Sequence, residues 1–270
     1  MAFKKWILKH FILAIVLVIL ISIALYVFIS LRFDISDGII HTLFFIFLMA
    51  SLFYISMLPT FMTKKPINEL LKKGDPEPLL HITSEMLTCK LHKSIELSIK
   101  INYCTALREN GRLREAHDAL RAIVIDKMAL TVPQINFVSQ MKFIYYNNLY
   151  DICNLLGDDK QANFWLVKAL QEYDSMSENQ IKKSLRPSYF LLTADKHLRN
   201  DDYAQALDAV NQVVALHLPT EMSVALTRAQ IYIRINKIDE AKKYLNTVIE
   251  KGNKLYCVTI AKNMLAEIEE

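Results

Sequence analysis

Glycine is scarce: five residues in a chain of 270. That leaves little material for a phosphate-cradling loop, and no G-x-x-x-x-G-K-S/T, G-x-G-x-x-G or G-x-S-x-G run occurs. The four cysteines, Cys89, Cys104, Cys153 and Cys257, are scattered without a C-x-x-C pair. They read as small buried residues of a reducing compartment. The seven histidines form neither H-x-x-x-H nor H-E-x-x-H, and no Cys/His set has zinc-ligand spacing. No metal and no cofactor are therefore expected. The paired acids Asp158-Asp159, Asp201-Asp202 and Asp239-Glu240 fall in turns or first helical turns, where carboxylates favour the helix dipole. They read as caps, so no catalytic residue is assigned and no enzyme is expected.

A one-signed charge field is missing from most of the chain. The formal net charge is +4, from 32 Lys+Arg and 28 Asp+Glu. Six of those cations and two of those acids lie in residues 1–66, so 67–270 carries 26 of each. A basic footprint for nucleic acid is absent there. Arg108, Arg112, Arg114 and Arg121 are interleaved with Glu109, Glu115 and Asp118, which reads as a solvated helix face.

What the chain does have is apolar length at its start. Two runs, about 6–31 and 39–61, are separated by the short polar break Arg32-Phe33-Asp34-Ile35-Ser36-Asp37-Gly38. Each reaches the roughly 20 residues a helix needs to cross a bilayer core. Residues 1–63 therefore read as a transmembrane helical hairpin in contact with lipid. The first run is too long for the ~7 to 15 residues of a signal-peptide core and has no small-x-small site after it. Lys4, Lys5 and Lys9 precede the first span and Lys64, Lys65, Lys72 and Lys73 follow the second, whereas the loop holds only Arg32. Positive residues stay on the cytoplasmic side, so both termini are expected in the cytoplasm and the protein in the plasma membrane. Trp6 suits the interface; Tyr54 either reaches it or packs.

Residues 64–78 read as a juxtamembrane linker, in which Ile67 to Lys73 has the length of two basic helical turns. Beyond it, 79–270, no strand-type alternation occurs. Apolar spacing of i, i+3, i+4, i+7 recurs instead: Leu113, Ala116, Leu120, Ile123; Ala162, Leu166, Ala169; Tyr203, Ala206, Val210, Val213; Ile238, Ala241, Leu245, Val248. Gly111, Gly157, Gly252, Pro133, Pro187 and Pro219 are all expected between helices. The fold class is all-α.

Those four sets each follow a helix and a tight polar turn: Asn110-Gly111-Arg112, Gly157-Asp158-Asp159, Asn200-Asp201-Asp202 and Asn236-Lys237. Each supplies an alanine where two helices approach, at Ala116, Ala162, Ala206 and Ala241. The stretches RENGRLREAHDAL, RNDDYAQALDAV and RINKIDEAKKYL resemble the turn and second helix of tetratricopeptide repeats, whose unit is about 34 residues of helix-turn-helix. The last two alanines are 35 apart; the earlier spacings, 46 and 44, imply longer helices or linkers at Asp126–Pro133 and Ser175–Arg186. The Leu-Gly pair usual in first helices of this family is absent.

The resemblance implies an α-solenoid of about four helix pairs with a capping helix at Leu255–Ile268. It also implies a concave groove that takes a protein or peptide. Asn147, Asp151 and Asn154, at i, i+4, i+7 of a first helix, are the candidate partner-binding residues. The Lys and Asn pattern of the carboxylate-binding members is not found. The function so read is a membrane-anchored cytoplasmic scaffold or adaptor, bacterial in vocabulary and non-catalytic. A pore or translocation subunit, in which the hairpin is the active part, is the alternative, and a peptide-sensing regulator a lesser one.

Overall fold

The computed structural model describes residues 7, 11–32, 37–89, 91, 93–125 and 135–270. Lys4, Lys5, Trp6, Lys9, His10, loop residues 33–36 and the connection Asp126–Pro133 lie outside the described residues. Within them the chain is all helix, with no strand. The helices are α1 (Phe11–Arg32), α2 (Asp37–Lys73), α3 (Glu77–Leu87), α4 (Lys93–Glu109), α5 (Leu113–Arg121) and α6 (Ile135–Leu155). They continue with α7 (Asp159–Ser175), α8 (Gln180–Arg199), α9 (Tyr203–Asn211), α10 (Leu218–Arg234), α11 (Ile238–Lys251) and α12 (Tyr256–Glu267).

The stretch Leu13–Ser30 of α1, with a mean hydropathy of 3.0, is long and apolar enough to cross a membrane. Helix α1 packs along α2, with the Tyr26 hydroxyl 3.1 Å from His41 Nδ1 and the Phe44 ring edge-on at 5.3 Å. The large side chains of this pair face outward: Leu20 is 55% exposed and Phe45 62%. Helix α2 is bent by 44° between His41–Ile55 and Met57–Lys73. Pro59 accounts for the bend, because it has no N–H for the Ile55 carbonyl and its ring crowds that oxygen. The helix then runs on to Lys73, through most of the stretch expected as a linker, and Gly74–Pro76 turns it into α3.

The remaining helices form four antiparallel pairs, α4–α5, α6–α7, α8–α9 and α10–α11, whose first helices contact one another in succession. The turns inside the pairs share one geometry. Gly111, Gly157, Asp201 and Asn236 all have positive φ, between 57° and 76°. The residue after each donates its N–H back five positions, Arg112 to Leu107, Asp158 to Cys153, Asp202 to His197 and Lys237 to Tyr232, at 2.8 to 2.9 Å. This closes the last helical carbonyls in a Schellman motif. The Asp158 and Asp202 side chains then accept from Gln161 and Gln205 N–H at 3.1 and 3.3 Å, capping the second helices. Ala116, Ala162, Ala206 and Ala241 are all 0% exposed, each on the face toward its partner helix.

The extra length after Ser175 is a longer helix, one of the two forms the spacing allowed, since α8 begins at Gln180. One expectation fails: Pro219 lies in the first turn of α10, and Pro187 within α8, rather than between helices. Pro187 is tolerated because the carbonyl it leaves unpaired belongs to Lys183, an exposed residue that water can solvate.

The pairs curve until their two ends meet. Helix α12 packs on α11 and α10 and also on α4, while α2 packs on α10. Asn253 Nδ2 donates to the Lys73 carbonyl at 2.6 Å and Lys254 Nζ reaches Asp75 at 2.7 Å. The C-terminal helix thus covers the last pair and also bridges back to the first.

Candidate functional site

The inner helices of the four pairs and α12 line a half-open cavity of about 230 Å³. Helix α4 supplies Arg108 and Glu109, α6 supplies Asn147, Asp151 and Asn154, and α8 supplies Ser188 and Asp195. Thr227 and Gln230 come from α10, and Tyr256, Cys257 and Ile260 close the space from α12. All three residues singled out from the sequence therefore line one space. The Asn147 side chain makes no hydrogen bond among the described residues and is free to meet whatever enters. Asn154 sits at the rim, where its Oδ1 accepts from Arg199.

Charge is distributed unevenly in this wall. Arg108 bonds to both Asp151 and Glu109. Burial alone would weaken its guanidinium, but the two carboxylates more than reverse that and hold it firmly charged. Arg199 bonds to Asp159 at 3.0 Å and lies 5.8 Å from the Tyr150 ring. Asp195 has a single hydrogen bond, accepted from the Tyr150 hydroxyl at 2.9 Å on Oδ2. No donor among the described residues reaches its Oδ1.

Burial pushes the Asp195 carboxyl up to about 7, against the help of the Tyr150 hydroxyl and with a further push from Asp151. Burial likewise lifts Asp151 to about 6, although Arg108 pulls the other way. The Asp151 side chain is 32% exposed, yet that surface opens onto the cavity and protein encloses it on the other sides. Burial also raises the Tyr150 hydroxyl well above its ordinary value and the Cys257 thiol to about 12. The thiol is therefore neutral and a poor nucleophile. Among the described residues no three His, Cys, Asp or Glu are grouped to hold a metal ion. Among the described residues the wall combines two carboxyls raised toward neutrality with a neutral thiol, an arrangement that can bind and discriminate by charge.

The sequence reading placed Arg108 and Glu109 on a solvated face. They turn inward instead, at 17% and 14% side-chain exposure, because the curve of the pairs brings α4 against α6. It also missed Asp195 and Gln230, although a signal was available. Asp195 follows Asp151 by the same 44 residues that separate Ala162 from Ala206, and Gln230 follows Asp195 by the same 35 that separate Ala206 from Ala241. These positions are equivalent in successive first helices. The contribution of α12 had no such signal.

No family model, no curated protein and no solved structure matches the chain.

Proposed function

We propose that the protein is a membrane-anchored helical scaffold that holds a protein or peptide partner in the cavity and performs no catalysis. The anchor in this reading is a two-span hairpin of α1 and the first part of α2, with both termini in the cytoplasm. The pairs are tetratricopeptide-like, a reading supported by their shared left-handed turns and fully buried alanines. The observation that carries the proposal is the half-open cavity itself. Asn147, Asp151 and Asn154 converge on it together with polar residues from α4, α8 and α10.

The test is a crosslinking pull-down from native membranes. Asn147→Ala combined with Asp151→Asn should abolish capture of the partner, whereas replacing residues 1–63 with an unrelated two-span anchor should leave it intact. The reverse pattern would assign the activity to the hairpin, as in a pore or translocation subunit.

A further inference from the structure

We infer that the cavity is built to receive a basic side chain, the ammonium of a lysine or the guanidinium of an arginine, carried on an extended segment of the partner. This deepens the scaffold reading and rests on it. The first support is the pairing of charges. Arg108, in the wall, and Arg199, beside it, are already committed: Arg108 to Glu109 and Asp151, Arg199 to Asp159 and Asn154. The walls themselves carry one cation, Arg108, against three acids, Glu109, Asp151 and Asp195. Helices α10 and α12 bring no charged group to them. The surplus is concentrated at Asp195, whose Oδ1 accepts from no donor among the described residues; its Oδ2 accepts from the neutral Tyr150 hydroxyl, and Arg199, paired elsewhere, acts on it only through its field.

The second support is the shape and chemistry of the rest of the wall. A buried carboxylate without a direct ion pair is costly, so the empty cavity favours its protonated form, and a cationic head entering from outside stabilises the charged one. Leu191, Leu226, Tyr256 and Ile260 give apolar surface against which a methylene stem can lie. Asn147, with no protein partner, is placed to bond the backbone of the incoming segment. The volume, about 230 Å³, falls below the roughly 300–1,000 Å³ of small-molecule sites and suits one long side chain. An acidic ligand is disfavoured by the same residues that favour a basic one.

The experiment uses the full chain in nanodiscs of phosphatidylcholine, which carries no net charge to attract the probes. Four pools of acetylated, amidated pentapeptides are passed over it, randomised except for a central Lys, Arg, Gln or Glu. Retention of the Lys and Arg pools should exceed that of the Gln and Glu pools by about tenfold. Asp195→Asn, which keeps an acceptor for Tyr150, should remove that preference. Gln230→Lys, which offers its own ammonium from the facing helix, should block the Lys pool and so give the same answer if the first variant folds poorly. Equal or greater retention of the Gln or Glu pools, or a preference that survives both variants, overturns the inference and leaves the scaffold reading standing. Retention of no pool by the wild-type chain overturns both. 1,4-Diaminobutane should displace the Lys pool only in large excess; displacement at equal concentration would assign the cavity to free amines and overturn the peptide.

Discussion

The hairpin and the helix pairs use apolar residues in opposite ways. In α1 and the first part of α2, leucine, isoleucine and phenylalanine point away from the chain, and Leu20, Phe28, Phe45 and Ile46 are all more than half exposed. In the pairs, the residues at 0% exposure include Ala116, Ala162, Ala206 and Ala241, small side chains that let two helices come close. Size is therefore tolerated in one region and forbidden in the other. The first region depends on what surrounds it; the second depends on fit within itself.

Substitution of alanine by leucine is the most direct way to break that comparison. Ala206→Leu should destabilise the protein by about 3 kcal/mol, since the added volume has nowhere to go between α8 and α9. Ala24→Leu, on an exposed position of α1, should leave the urea midpoint in detergent unchanged. Equal losses at both sites would mean that α1 packs against protein after all.

A finer contrast lies within the pairs. Gly111 and Gly157 occupy the same left-handed position, but a Cβ on Gly111 would lie 2.5 Å from the Tyr256 ring and one on Gly157 would meet nothing within 4 Å. Gly111→Ala should cost about 2 kcal/mol and Gly157→Ala about 1, the backbone term alone. Thermal melts of the two variants measure the difference, which is the cost of pushing the Tyr256 ring of α12 away from the first pair.

Asp195 sharpens the comparison from the side of charge. Its carboxyl, ordinarily at 3.8, is held up to about 7 by burial, so the folded chain keeps a proton that the unfolded chain has released. Between those values the native state binds more protons than the unfolded state, and stability falls as pH rises. Asp151, raised to about 6, adds to the same slope. Asp195→Asn should therefore stabilise the chain by about 1 kcal/mol at pH 7.5. The gain should fade towards pH 4, where the wild-type group is protonated in both states. Lys254→Ala, which removes an exposed pair with Asp75, should lower stability by less than any of the destabilising substitutions within the helix pairs.

The periodic residues and the polar turns were legible in the sequence because each is a local signal. Helix type follows from i, i+3, i+4 spacing, and a left-handed turn needs Gly, Asn or Asp. That Asn147, Asp151 and Asn154 share one face of α6 was legible for the same reason. Pro187 misled because a proline reads as a break unless the solvation of the carbonyl four residues before it is known. Arg108 and Glu109 misled because whether a charged face meets water depends on curvature accumulated over several pairs. The meeting of residues 252–257 with 73–75 and 108–111 spans 140 positions or more, and no short pattern encodes a contact of that range.

Helix α2 has 37 residues, about 55 Å of rise, of which a bilayer core takes about 30 Å. On the membrane-anchored reading, what remains is a bracket rather than a leash. A flexible chain of 15 residues would let the cavity wander over roughly 20 Å. A helix that ends fastened at Lys73 and Asp75 to the far end of the ring holds it at one height and one angle. Such a receptor does not fish for ligands in the surrounding volume. It samples a thin shell above the membrane, so segments displayed at that height by neighbouring membrane proteins reach it at high effective concentration, and freely diffusing ones do not.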